Sequence, residues 1–206
     1  MARPASDIGP RIVHAARARF LQEGVDGAAL RQIARDAGTN IGMVYYYFKT
    51  KDDLFFAVVE DVYRVILADV TQLMTTDLPE EERLQQLYQR LARMSEEEFQ
   101  VLRLILREAL ISSARLTRLG QLFLRGHIPV VVRCLLDGVT KGQFRADLSP
   151  LIALGATLSL GIMPQIVRRL LSATELPGLQ TLPAPTEVAR AMSDVLLRGI
   201  GTQPVE

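Results

Sequence analysis

Apolar positions recur along this chain with the spacing of helices, and no segment shows the alternation of a strand. Ile8, Ile12, Val13, Ala16, Phe20 and Leu21 fall on successive turns. They predict a first helix from about residue 7, capped by Ser6 or Asp7 and stopped at Gly24. After the loop GVDGA come two short helices, over 30–37 and 41–48, separated by Gly38 and Thr39 with Asn40 as N-cap. Thr50 then caps a long fourth helix, from 51 to about 74. Pro79 opens a fifth, with Glu80, Glu81 and Glu82 in the first turn, where the helix dipole favours anions. Ser95 and Glu98 make a capping box that starts a sixth helix, ending near 110. An apolar seventh spans about 116–139, bent at Pro129. KGQFRADLSP is a turn, an eighth helix covers about 150–171, and TELPGLQTLPAP is a loop. Thr186 caps a ninth helix that ends at Gly199, and the last residues fray.

The fold class this predicts is all-α, with about nine helices: a three-helix N-terminal domain over 1–50, a connecting helix over 51–78, and a larger helical domain over 79–206. The two short helices joined through Gly38 have the spacing of a helix-turn-helix. Ala34 is small where they cross, and Gly38 takes the turn's backbone angles at low cost. Ile33, Ala37, Val44 and Tyr47 supply a seam against Ile12 and Phe20.

The run YYYF, Tyr45 to Phe48, has too many faces for one core. At about 100° per residue, Val44 and Phe48 point inward, Tyr45 and Tyr47 flank them, and Tyr46 points outward beside Gly42. An exposed glycine inside a helix costs about 1 kcal/mol, and close approach to another surface would offset that cost. Ile41 is ambiguous: the wheel tilts it toward the core, while the helix start points it outward.

Composition narrows the function classes. The net charge of +1 across 206 residues leaves no global basic signal, so attraction to nucleic acid has to be local. Cys134 is the single cysteine, which excludes an internal disulfide or a Cys-built metal site and fits a reducing cytoplasm. MARPASDIG lacks the apolar core of a signal peptide. Residues 148–167 are uncharged and long enough to span a bilayer, but two prolines, two glycines and several polar side chains favour a helix buried in protein or in an oligomer interface, with no membrane partner. There is no paired-carboxylate, phosphate-loop or nucleophile motif, so the reading is not an enzyme, without cofactor or metal.

The N-terminal stretch resembles the DNA-binding domain of the TetR family of transcriptional regulators over roughly residues 8–58. The matching residues are Phe20, Glu23 and Gly24, Ile33-Ala34, Ala37-Gly38, Gly42, Tyr45 to Phe48, Lys51 and Leu54. Ala28 and Ala29 depart from the family, which usually has a Thr or Ser there to cap the second helix and touch a phosphate. Thr39 stands at a usually apolar turn position, and Ile41 at a frequently polar one.

The resemblance implies that the third helix enters the major groove of a double-stranded operator. Tyr45, Tyr47 and Lys51 would hold phosphates, and Ile41, Gly42, Met43 and Tyr46 would approach base edges. Arg31 is the candidate for guanine unless it stays a solvated or paired surface charge, Gln32, Thr39 and Asn40 complete the contact set, and Tyr47 divides between structural and contact roles.

It further implies a homodimer through the eighth and ninth helices and a small-molecule effector bound by the C-terminal domain. The apolar eighth helix supports the dimer, as does a ninth helix with Val188, Ala191, Met192, Val195 and Leu196 on one side. Candidate effector residues are Tyr88, Phe99, Arg103, Leu106, Arg107, Phe123, His127 and Met163, each with an ordinary core or surface role as the alternative. Arg103 and Arg107 either face a pocket for an anionic effector or reach solvent and acids such as Glu108. The expected function is a cytoplasmic repressor released from a palindromic operator by its effector; a TetR-type activator and an all-helical protein-interaction module are the alternatives.

Overall fold

The structure is a computed structural model, and it describes residues 7–172 and 182–202. The expected Ser6 cap, most of the TELPGLQTLPAP loop and the last four residues lie outside them. Ten helices occur among the described residues: α1 (Ile8–Gly27), α2 (Leu30–Asp36), α3 (Ile41–Tyr47), α4 (Lys51–Met74), α5 (Glu80–Ala92), α6 (Glu96–Ile111), α7 (Ser113–Arg125), α8 (His127–Thr140), α9 (Pro150–Ser172) and α10 (Pro185–Ile200). Two compact units share them. The first holds α1 to α3, α4 as far as Ile66, α6, and α7 as far as Leu122. The second holds α4 from Leu67, α5, α7 from Phe123, and α8 to α10.

Three helix boundaries differ from expectation, and the last helix, α10, starts at Pro185 behind Ala184, so Thr186 lies inside it and does not cap it. α1 does not stop at Gly24: the chain leaves helical angles there (φ 79°, ψ 168°) and makes one more turn to Gly27. Asp7 supplies no side-chain cap; instead Arg11 Nε donates to its carbonyl at 3.4 Å. The expected seventh helix is two helices, broken at Gly126 and not bent at Pro129. Pro129 is the third residue of α8, where its missing N–H would have had no intrahelical partner. Other signals hold. Thr50 Oγ accepts from the Asp53 N–H at 3.0 Å, and Ser95 and Glu98 form both halves of the capping box.

In the first unit, Ile12, Ala16 and Phe20 of α1 meet Ile33, Ala34 and Ala37 of the second helical turn region, Val44 of α3, and Leu54 and Phe55 of α4, all buried. Phe20 and Phe55 stand edge to face with centroids 6.5 Å apart. α6 packs on α1, and Arg17 of α1 pairs with Glu97 of α6.

In the second unit, α5 packs against α8, α9 and α10. The buried Tyr88 hydroxyl donates to the Thr157 carbonyl at 3.0 Å. Gly161 of α9 lets Leu91 and Tyr88 of α5 approach closely. Glu80 is fully buried, and its Oε1 accepts from Lys141 Nζ at 2.6 Å.

α9 buries Ala153, Leu154, Thr157, Gly161 and Gln165 but exposes Leu151, Ile152, Met163, Val167 and Leu170. Among the described residues, then, it is covered on one side only, and it is long and apolar enough to cross a membrane. On α10, Ala191 and Val195 of the side expected at the dimer stay exposed, while Leu196 of that side is buried in this chain. The helix also buries Ala189, Ser193 and Ile200. Ser193 sits in the core because its hydroxyl donates to the Arg190 carbonyl at 2.9 Å, so the simple apolar pattern missed it.

Candidate nucleic-acid interface

The turn between α2 and α3 is built by Gly38 at φ 63° and by Thr39, whose N–H donates to the Ala34 carbonyl at 2.9 Å. Asn40 Oδ1 accepts from the Met43 N–H at 3.0 Å and caps α3. Gly42 serves this cap as well as the open face, since a Cβ on it would lie 3.1 Å from that oxygen. Val44 is buried, and the three tyrosines fan outward: Tyr46 is 70% exposed, Tyr45 52% and Tyr47 37%. Tyr46 and Tyr47 are T-shaped with centroids 5.2 Å apart. The Tyr47 ring covers Gly9 of α1, so its body is structural while its rim reaches the surface. Ile41, Met43 and Phe48 are half-buried. Ile41 therefore serves neither the core nor the open face alone.

Around this helix the free cations are few. Arg31, on the first turn of α2, is exposed and has no hydrogen bond or ion pair among the described residues. The nearby Asp36 is taken by Arg19 Nε at 2.6 Å and by Gln32 Nε2 at 3.4 Å. Arg19 holds the Asp36 carboxyl below its ordinary range. Thr39 is half-buried and Asn40 exposed.

Lys51 donates to the Asp26 carbonyl at 2.8 Å. An ammonium has three donors, so this bond leaves two for a phosphate. The sequence reading passed over Lys49, which lies in the link between α3 and α4 and is exposed with no partner among the described residues. Its signal was position: the residue after the recognition helix must run along the same surface. Ala29 stands at the α2 N-cap without a side-chain hydrogen bond, and Ala28 is buried, so the usual hydroxyl at this corner is absent.

The candidate effector residues divide between the two units. Phe99, Arg103, Leu106 and Arg107 belong to the first unit, and Tyr88, Phe123, His127 and Met163 to the second. Arg103 and Leu106 are exposed on α6, and Met163 is exposed on α9. The Arg107 guanidinium lies on the Gly24 backbone, with its Nε 3.5 Å from Glu108. That is the pairing with Glu108 that stood as the alternative to a pocket-facing role. The Phe123 and His127 rings lie tilted at 51° with centroids 5.1 Å apart, and burial holds the His127 imidazole below its ordinary pKa. Burial pushes the Tyr88 phenol well up.

An exposed aromatic helix on a helix-turn-helix scaffold is the arrangement that DNA-binding regulators use. Residues 12–58 match the model of the bacterial regulatory proteins of the tetR family. The chain is 39% identical over 62 residues to the transcriptional repressor NicS of Pseudomonas putida, and 28% identical over 78 residues to the regulator PksA of Bacillus subtilis. These matches cover 30% and 38% of this chain, and only 29% and 38% of those relatives. A solved structure from Mesorhizobium loti, assigned to the TetR-family regulators, is 25% identical, with 98% of this chain and 100% of that chain covered at a TM-score of 0.66. Residues 12–58 thus match the N-terminal segment of the tetR-family regulators, and the chain as a whole is similar in fold to that solved structure. Regulators of this type typically bind DNA and small molecules and form dimers, and they are not enzymes.

Proposed function

We propose that the protein is a cytoplasmic, homodimeric repressor that places α3 in the major groove of a near-palindromic operator and leaves it when a small molecule binds. The observation that carries this reading is Tyr46, the most exposed of the three tyrosines, on the same open face as Gly42. Tyr46, Met43 and Ile41 would read base edges through apolar and hydroxyl contacts, and Arg31 would take a guanine. Tyr45, the rim of Tyr47, Lys49 and Lys51 would hold phosphates, with Gln32, Thr39 and Asn40 beside them.

The exposed apolar side of α9, continued by Val195 of α10, supports a twofold interface. A dimer would set two recognition helices about 34–36 Å apart, one turn of the duplex. The effector would be held by the larger helical unit, where Tyr88 and His127 place polar groups among apolar ones such as Phe123. It must bind the DNA-free state more tightly than the bound one.

Selection of bound sequences from a random duplex pool, followed by anisotropy titrations on the selected operator, tests the reading. Binding should weaken steeply with salt. Tyr46→Ala should abolish discrimination of the operator from scrambled DNA while the dimer remains. A pool that yields no enriched sequence would sink the proposal.

A further inference from the structure

Three consecutive residues at the start of α4, beside the proposed DNA face, are each held by a different partner. Lys51 binds the Asp26 carbonyl at 2.8 Å. Asp52 Oδ1 accepts from Arg115 Nε and Nη2 at 3.0 and 2.9 Å. Asp53 Oδ1 accepts from Arg118 Nη1 at 3.0 Å, and its Oδ2 accepts the Thr50 N–H at 3.2 Å. Arg115 also donates to the Asp26 carboxylate at 2.5 and 3.2 Å and to Glu108 at 2.6 Å. Arg115 and Glu108 are buried, and Glu108 accepts the Val25 N–H at 3.3 Å as well. Arg118 is half-exposed, with its guanidinium 4.1 Å above the Phe56 ring. Both arginines come from α7, one helical turn apart.

The acids create a conflict. A helix start favours Asp52 and Asp53, because the dipole and the free N–H groups there attract anions. The same corner is where a DNA phosphate would come, and carboxylates repel it. Asp26, Asp52 and Asp53 keep 72%, 42% and 36% of their side chains exposed, so their charge is not hidden by burial. The Thr50 cap and Arg118 together hold the Asp53 carboxyl below its ordinary range, and Arg115 does the same for Asp26. Asp26 and Asp53 are therefore ionised at neutral pH.

We propose that Arg115 and Arg118 are positioning residues for DNA binding: from α7 they neutralise the acidic first turn of α4 and fix it against the end of α1, so that the corner can approach phosphate. This rests on the DNA-binding reading above. It assigns α7 a part in operator affinity although none of its residues lies on the recognition helix.

The test uses the full chain and its selected operator, with melting curves to confirm that each variant folds. Arg118→Gln should bind the operator about three- to tenfold more weakly, as one unneutralised charge near the phosphates implies. Arg118→Lys should keep most of the affinity. Adding Asp53→Asn to Arg118→Gln should restore binding to within about twofold of the wild type, since the two changes act on one contact; a packing role on Phe56 would not be rescued in this way. For the buried partner, Arg115→Gln is made together with Glu108→Gln, so that no lone carboxylate is left inside. That protein should also lose affinity and regain it on Asp52→Asn.

Wild-type affinity in folded Arg118→Gln overturns the proposal, as does a loss that Asp53→Asn fails to restore. A wild-type protein that binds no sequence overturns this proposal and the function reading together. A wild type that binds, with an indifferent Arg118→Gln, overturns this one alone.

Discussion

Gly24→Ala puts the greatest weight on a single backbone position. Gly24 sits at φ 79°, ψ 168°, a region essentially closed to residues with a Cβ. Holding alanine there costs about 1–3 kcal/mol. The added methyl would also overlap the Arg107 guanidinium. That side chain is flexible and 38% exposed, so it can swing away, losing a partly solvated pairing with Glu108 worth about 0–1 kcal/mol. Alanine stiffens the unfolded chain and returns about 0.4–1 kcal/mol. The net is a destabilisation of about 1–3 kcal/mol, because the backbone term is the largest of the three. For a chain of this size that is roughly 3–10 °C in melting temperature.

Far-UV circular dichroism melts at one fixed protein concentration measure it, since dimerisation makes the midpoint depend on concentration. Arg107→Ala separates the terms. In the Gly24→Ala background it should add almost nothing, because Arg107 has already been displaced. Gly24→Ala melting within a degree of the wild type would refute the backbone argument. So would a full recovery in the Arg107→Ala background, which would leave only a clash.

Three further outcomes follow from other parts of the fold. Ala29→Ser supplies the missing α2 cap; it should raise stability by about 1 kcal/mol and tighten operator binding, and a melt no higher than the wild type's would contradict the N-cap geometry. Leu151→Asp with Val167→Asp places charge on the exposed side of α9 and should convert a dimer into monomers by light scattering; dimers that persist would move the interface elsewhere. Burial keeps the folded His127 pKa below its ordinary value, so below about pH 6.5 the unfolded chain binds the extra proton first and stability falls with pH, while above that value the contribution is whole. Urea titrations at about pH 7.5 and 5.5 should show a loss that shrinks in His127→Gln, and an equal loss in both proteins would assign it to other groups.

The elements visible in the sequence were those with local causes. The boundaries of α3, α4 and α6 follow from caps that sit within a few residues of the helix they start: Asn40, Thr50 and Ser95. The outward order of the tyrosines followed from the turn angle alone, because α3 is short and one side of it is closed by Val44. Where long-range contacts decide, periodicity misled. Gly126 breaks the α7–α8 segment, whereas Pro129 is harmless in a first turn. The buried side of α10 includes Ser193, satisfied by its own helix, which a count of apolar residues does not pick out.

The site divides along the same line. The residues of the α2–α3 unit could be placed from sequence, since each lies within a turn or two of the Gly38 bend. The grip on the start of α4 could not, because it joins residues far apart in the chain: Asp26 and Arg115 are 89 positions apart, and Asp53 and Arg118 are 65. In the sequence, Asp52 and Asp53 are good first-turn residues and Arg115 and Arg118 are ordinary helix-surface cations, each complete without the others. Only when folded does the helix-favouring choice of acid meet the repulsion it would raise at a DNA surface. An arginine from elsewhere removes that repulsion without giving up the cap, since Asp53 can accept from Thr50 and Arg118 through different oxygens. A neutral residue at position 53 would solve the electrostatics but weaken the dipole interaction. Keeping the acid and recruiting Arg118 preserves both, and it makes the state of the DNA-facing corner depend on where α7 stands.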